Sequence, residues 1–283
     1  MKTILVPIDF SSYSNNALDF AYELAKKDGD AKIMIMHIIE AMDTQSYSTI
    51  GMVKIDNQAD LYLNLMMQGV KKKMDDIVND PKYDGIEIVA HVHHGKPYEN
   101  ISKAISEHEA TLVVMGTLGS SGLDELFIGS NTEKVVRYAK CPVLSIPEGA
   151  KFNDVKNVVY ATNLTQEDED VIQRLKYGLT LFGAHLHLLW VNTVHDIRSD
   201  ENMDDKLNEF AQKNGLSNYS VHISKGIFAE AGIMNYADEI NADMIAMTTG
   251  GRKGLAYLFS GSLAEDVVNH SCLPVWTYSV RED

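Results

Sequence analysis

Gly116-Thr117-Leu118-Gly119-Ser120-Ser121-Gly122-Leu123-Asp124-Glu125-Leu126-Phe127-Ile128-Gly129-Ser130 decides the fold, because residues 248–262 repeat it in damaged form. The copy keeps Gly251, Gly254, Gly261 and Ser262 but carries Thr248 where the first version has Gly116. An apolar run precedes each version, at 111–115 and 243–247, and a helix-like stretch follows each, at 133–138 and 265–269. A strand, a glycine-rich loop and a helix N-terminus together suit a phosphate, since unpaired backbone N–H groups and the helix dipole favour an anion there. One intact copy and one damaged copy point to a nucleotide in the first half and an altered site in the second.

Outward from these loops the two halves follow one plan. Residues 4–11 and 158–165 are each a short apolar run, a polar residue (Asp9 or Asn163) and a hydroxyl residue, Ser11 or Thr165, able to cap the next helix. Ala17, Phe20, Ala21 and Leu24 keep helical spacing in the first half; Val171, Leu175, Leu179 and Phe182 do so in the second. Continuous apolar runs at 33–39 and 186–191 have the length of strands buried on both faces. Third strands are expected at 86–92 and 219–223, helices at 95–106 and 226–239, and last strands at 143–146 and 275–278. Strands alternating with helices at this spacing imply right-handed crossovers and a parallel sheet. Ligands then bind beyond the strand C-terminal ends, where Asp9 and Gly116 both fall.

The domains read as 1–147 and 155–283, with 148–154 as linker. The connection from Glu40 to about Leu61, containing Tyr47, Gly51 and Met52, is longer than most crossover loops and reads as a mobile segment or a lid. A formal net charge of −15 argues against nucleic acid, whose binding relies on Lys and Arg. No run approaches the roughly 18–20 apolar residues of a membrane span, and the opening run is too short for a signal peptide. The two cysteines, Cys141 and Cys272, read as small buried hydrophobes in a reducing cytoplasm.

Taken in order and in duplicate, these elements resemble the universal stress protein family in its tandem two-domain form. The residues that carry the likeness are Pro7-Ile8-Asp9, the Gly116/Gly119/Gly129/Ser130 spacing, and Cys141-Pro142-Val143-Leu144. The resemblance covers nearly the whole chain. It implies an α/β fold of two five-stranded parallel-sheet domains, Rossmann-like and of the adenine nucleotide alpha hydrolase type. The two would pair within one chain as an intramolecular pseudo-dimer, and the chain could pair again as a homodimer. It also implies a cytoplasmic stress-response protein that binds ATP and regulates, with slow hydrolysis at most. By this resemblance Asp9 and Pro7 would meet the adenosine end, the backbone of Ile38 the adenine, and Met115 and Gly116 the ribose. Gly119, Gly129, Ser130, Asn131 and Thr132 would hold the phosphates, on which Mg²⁺ or Mn²⁺ could ride. The alternative is an interaction scaffold or small-ligand sensor of the same fold that takes no nucleotide.

The second half departs from this pattern at Asn163, Thr248 and Ala264, which replace Asp9, Gly116 and Thr132, while Arg252 and Lys253 replace two serines. Several residues also have a structural reading. Ser130 with Glu133, and Ser262 with Glu265, have capping-box spacing. Asp9 could help to start a helix. His91 with His93, and His185 with His187, share strand faces, for which a structural or surface role is preferred to zinc. Lys71, Lys72 and Lys73 beside Asp75 and Asp76 read as a solvated helix face. Met66, Met67 and Met74 read as packing. No catalytic constellation and no P-loop lysine spacing occurs in the sequence.

Overall fold

The structure, a computed structural model, describes residues 1–40, 56–117, 129–164, 169–194, 202–249 and 260–279; the side chains of residues 56–64, 130 and 260–262 are outside the description. Residues 41–55 of the expected lid segment lie outside the described residues, as do Gly119, Arg252, Lys253 and Thr165, while residues 56–61, expected in that connection, already belong to a helix. The first half runs β1 (Lys2–Pro7), α1 (Ser12–Asp28), β2 (Ala31–Ile39), α2 (Asp56–Val78), β3 (Ile88–His94), α3 (Pro97–Glu107), β4 (Ala110–Thr117), α4 (Ser130–Tyr138) and β5 (Val143–Pro147). The second runs β6 (Asn157–Ala161), α5 (Glu169–Phe182), β7 (His185–Thr193), α6 (Met203–Lys213), β8 (Tyr219–Gly226), α7 (Ala229–Glu239), β9 (Met244–Thr249), α8 (Ser260–His270) and β10 (Val275–Ser279).

The strands form one sheet in the order β3-β2-β1-β4-β5-β10-β9-β6-β7-β8. Within each half every pairing is parallel, and the halves meet edge to edge where β5 pairs antiparallel with β10. Trp276 stands opposite Leu144 there, and Thr277 opposite Val143. The join is reinforced by an ion pair between Arg137 and Glu265 at 3.5 Å. The β1 and β2 runs are apolar without alternation because helices cover both faces of the sheet, giving one buried cluster on each side.

Sequence chemistry sets the helix ends. Ser11 caps α1 by accepting from the Ser14 N–H at 3.2 Å, and Gly29 ends it at φ +76°, a conformation that suits glycine. Phe10 and Leu164 both have positive φ at the same strand-to-helix turn, 67° and 58°. A feature that both halves share belongs to the turn itself and not to one half's ligand. In the stretch between the halves, Phe152 opens a short 3-10 turn and is buried. Its ring packs against Phe20 of the first half at 5.7 Å and Phe182 of the second at 5.1 Å.

Three expectations are corrected. Cys141 is buried, but Cys272 is exposed, lying in the turn that precedes β10. The capping boxes do not form as read. The cap position of α4 is Gly129, with Ser130 already helical, and α8 begins at Ser260, which puts Ser262 inside the helix. Of the methionines Met74 is buried, whereas Met66 is exposed on the outer face of α2. Lys71, Lys72 and Lys73 are exposed, as a solvated face requires.

Candidate functional site

A cleft of about 430 Å³ opens at the C-terminal ends of β1, β2 and β4. This is where the strand order reverses, with β1 flanked by β2 on one side and β4 on the other. Pro7, Asp9, Ile38, Met115, Gly116, Gly129, Asn131 and Thr132 all line it. Gly119 and the Ser130 side chain, also expected here, fall outside the described residues. The topology therefore gathers residues that are up to 125 positions apart in sequence, from Pro7 to Thr132.

One end of the cleft is acidic. Asp9 is exposed and its Oδ1 accepts from the Ser11 N–H at 2.9 Å. Partial burial pushes its pKa upward, but hydrogen bonds from the hydroxyl and amide of Ser11 and from Ser14 outweigh this and hold it below the ordinary aspartate value. Asp9 is thus a fixed anionic acceptor at neutral pH. Beside it, His37 Nδ1 lies 2.6 Å from the Ile8 carbonyl, so Nδ1 carries the proton and donates. Its ring stacks on Phe10 at 4.7 Å, and Lys73 lies over the Phe10 ring at 5.1 Å. These contacts fix the end of β2 and with it the backbone of Ile38.

The other end is electropositive, and among the described residues no basic side chain lines it. Gly129 caps α4 with no side-chain hydrogen bond. The N–H groups of Thr132 and Glu133 return to the Gly129 carbonyl at 2.8 and 3.3 Å. The N–H groups of Ser130 and Asn131 have no acceptor within the helix, as in any first turn, and the dipole adds positive potential. Thr132, buried at 6% exposure, places a hydroxyl on the same wall.

Gly116 has a second duty. A Cβ built on it would lie 2.4 Å from both the carbonyl carbon and the oxygen of Tyr13. The absent side chain thus lets the first turn of α1 rest on β4, whatever it also permits toward a ligand. Sequence reasoning missed several lining residues: Tyr13, Ser14, Pro97, Ile101, Thr117 and Glu40. Ser14 was within reach, because its spacing of three from the cap Ser11 marks the first turn of α1. Pro97 was too, as a proline opening a helix next to the site.

The histidines gather elsewhere. His91 and His93 stack at 6.1 Å on β3, with His108 5.0 Å from His91. On β7 and β8, ring nitrogens of His185, His187 and His222 each lie 3.1 Å from Ser220 Oγ. Among the described residues no group of His, Cys, Asp or Glu has the geometry of a metal site.

The sequence profile of the Universal stress protein family matches the chain twice, over residues 1–147 and 154–279. Universal stress protein YxiE of Bacillus subtilis is 31% identical over 147 residues, 50% of this chain and 97% of that protein. A universal stress protein of Thermus aquaticus is 29% identical over 145 residues, 51% of this chain and 98% of its own. Among solved structures, a universal stress protein from Archaeoglobus fulgidus superposes with a TM-score of 0.75 at 22% identity, covering 98% of both chains. A Pseudomonas aeruginosa protein described as functionally unknown superposes at 0.66 with 18% identity, covering 99% of this chain and 92% of its own. At these identities the two structures speak for the fold. No described helix is long and apolar enough to cross a membrane.

Proposed function

The chain belongs to the universal stress protein family, and on that premise we propose that its N-terminal half binds one ATP, through which the molecule acts as a regulatory protein of the cytoplasm. The observation that carries the reading is the polarity of the cleft. An anionic acceptor, Asp9, stands at one end and the open N-terminus of α4 at the other. A nucleotide has the matching polarity. Its ribose hydroxyls and adenine amino group donate, while its phosphates accept. The volume of about 430 Å³ lies in the range of small-molecule sites.

In this reading Asp9 accepts from the sugar or base, Pro7 and Met115 provide apolar contact, and the Ile38 backbone presents its polar groups to the adenine edge. Gly119, Gly129, Ser130, Asn131 and Thr132 hold the phosphates by N–H and hydroxyl donors. A divalent cation, Mg²⁺ or Mn²⁺, would arrive on the phosphates and neutralise charge there. The proposed role is binding, not turnover. Efficient phosphoryl transfer needs an oriented nucleophile and a charge stabiliser, whereas Asp9 is engaged by Ser11 and His37 is held to Ile8. In the second half Asn163, Thr248 and Ala264 remove the anionic acceptor, the bare backbone and the hydroxyl, which supports a single nucleotide per chain.

Titration calorimetry with ATP and Mg²⁺ tests the proposal. One site per chain is expected, weakened at least about tenfold, or roughly 1.4 kcal/mol, by Asp9→Ala and by Thr132→Val. Absence of saturable binding to the folded protein would overturn it. So would binding that both substitutions leave unchanged.

A further inference from the structure

Helices α1 and α5 hold equivalent places in the two halves, and their ends align residue for residue. Gly29 and Gly183 terminate them at φ +76° and +64°, and donate their N–H groups to Ala25 and Leu179 respectively. The same offset sets Leu24 of α1 against Gly178 of α5, and Phe20 against Arg174. Phe20 and Leu24 are buried. At these two places α5 brings a bare backbone and a guanidinium, although elsewhere it is the bulkier helix, with Val171, Leu175 and Leu179 where α1 has Ala17, Ala21 and Ala25.

Beside Gly178 lies a cavity of about 260 Å³ between α5, α1 and the sheet, where the two halves join. Ile4, Leu24, Leu112, Leu144, Phe182 and Trp276 furnish its apolar walls, and Gly178 leaves its roof open. A smaller void of about 20 Å³ shares Gly178, Phe182 and Trp276 and reaches Val158 and Met244. None of these residues belongs to the nucleotide cleft, which lies at the opposite ends of β1 and β4.

The mouth carries charge but is balanced. Lys2 Nζ pairs with Asp28 at 3.1 Å and also meets the Tyr177 hydroxyl. Arg174 Nε donates to Asp170 at 2.7 Å, and its Nη1 donates to the Thr111 carbonyl at 3.4 Å. An anionic ligand would have to compete with Asp28 or Asp170. A cationic one would face Lys2 and Arg174. A neutral ligand disturbs neither pair.

We propose that this cavity between the halves is a binding site for a neutral, two-ring fused aromatic molecule, stacked against Phe182 and Trp276 beneath Gly178. An apolar cavity of about 150 Å³ accepts benzene, and this one has room for a second ring. Aromatic walls favour an aromatic guest by offset or edge-to-face contact. Pockets of this kind occur preferentially at domain interfaces. Because β1, β4 and α1 come from one half and α5 and Trp276 from the other, a bound molecule fastens the two together.

2-Naphthol, neutral at pH 7, is the probe, and 1-naphthoate is its anionic counterpart. Calorimetry on the full chain is expected to show saturable 1:1 binding of 2-naphthol with quenching of tryptophan emission. Naphthoate is expected to bind about tenfold or more weakly, the cost of disturbing one mouth ion pair. Gly178→Leu, which restores the side chain present in α1, is expected to abolish binding while leaving ATP binding intact. Leu112→Phe fills the cavity from the sheet side and decides the matter if Gly178→Leu does not fold. The proposal is overturned if 2-naphthol shows no saturable binding, if the two probes bind equally, if ATP displaces the probe, or if a folded filling variant binds as well as the parent.

Discussion

Single residues in this chain often serve two purposes, and substitutions can separate them. Gly116 was read from sequence as a ribose contact, yet the Tyr13 backbone stands 2.4 Å from where its Cβ would be. Gly116→Ala is therefore expected to destabilise the protein even without nucleotide, by about 2–3 kcal/mol for a clash against rigid backbone. A urea midpoint equal to that of the parent would sink this reading. Asp9 behaves in the opposite way. It is exposed and its local duty is to accept from neighbouring groups of Ser11 and Ser14, which an amide oxygen can also do, so Asp9→Asn is expected to leave the unfolding free energy within about 0.5 kcal/mol of the parent. The loss of ATP affinity should then appear with stability intact. The residue types of the site were legible because Gly129-Ser130 recurs as Gly261-Ser262 at the same spacing, while Asp9, Gly116 and Thr132 stand out as the places where the second half differs. The packing duty of Gly116 was not, since the helix that crosses it starts more than a hundred positions earlier in the chain.

At the scale of elements, the buried strands were the most readable parts. The continuous runs of β2 and β7 mark strands covered on both faces, and both formed where expected with ends shifted by two residues or fewer. The start of α4 was misread because Ser130 and Glu133 imitate a capping box, while the true cap, Gly129, offers no side chain to recognise. Strand periodicity also placed His185 and His187 on one face, but only the parallel register of β7 with β8 adds Ser220 and His222 beside them. That cluster has a consequence for acid stability. Burial, together with the neighbouring His185 and His222, pushes His187 down to about 4. Glu239 and Asp204 pull the other way on His222, though burial still leaves it lowered. An unfolded His187 takes up a proton near pH 6.5, whereas the folded one does so only near 4. Between those values the unfolded chain binds more protons, so stability falls as the pH is lowered through this window. The loss is about 1–2 kcal/mol after discounting for partial exposure. His187→Gln is expected to flatten the dependence of the urea midpoint on pH between 7 and 4.5, relative to the parent. An unchanged slope would mean that the cluster does not carry the effect.

For the whole molecule, the decisive feature is that two units of one plan share a single sheet. The antiparallel seam of β5 with β10 is short, three paired positions in each strand. Pairing at the seam could leave the halves free to unfold separately, were it not for the aromatic wedge beside it. Phe152 lies in the stretch that read as a linker, and its ring touches Phe20 and Phe182, one from each half. Composition alone marks that stretch as polar; only the folded chain shows a buried ring at its centre. A residue that packs on both halves makes the loss of either costly to the other, which is what couples two domains into one cooperative unit. Urea unfolding of the parent is therefore expected as a single transition, seen alike by circular dichroism and by tryptophan emission. Trp190 and Trp276 both lie in the second half, so emission follows that half while the dichroism averages both. Phe152→Ala is expected to lower stability by about 3–4 kcal/mol and to pull the two signals apart, with the half that depends more on the wedge melting first. If the parent already shows two separated transitions, the halves are independent. If Phe152→Ala shifts both signals by less than about 1 kcal/mol, the wedge does not couple them.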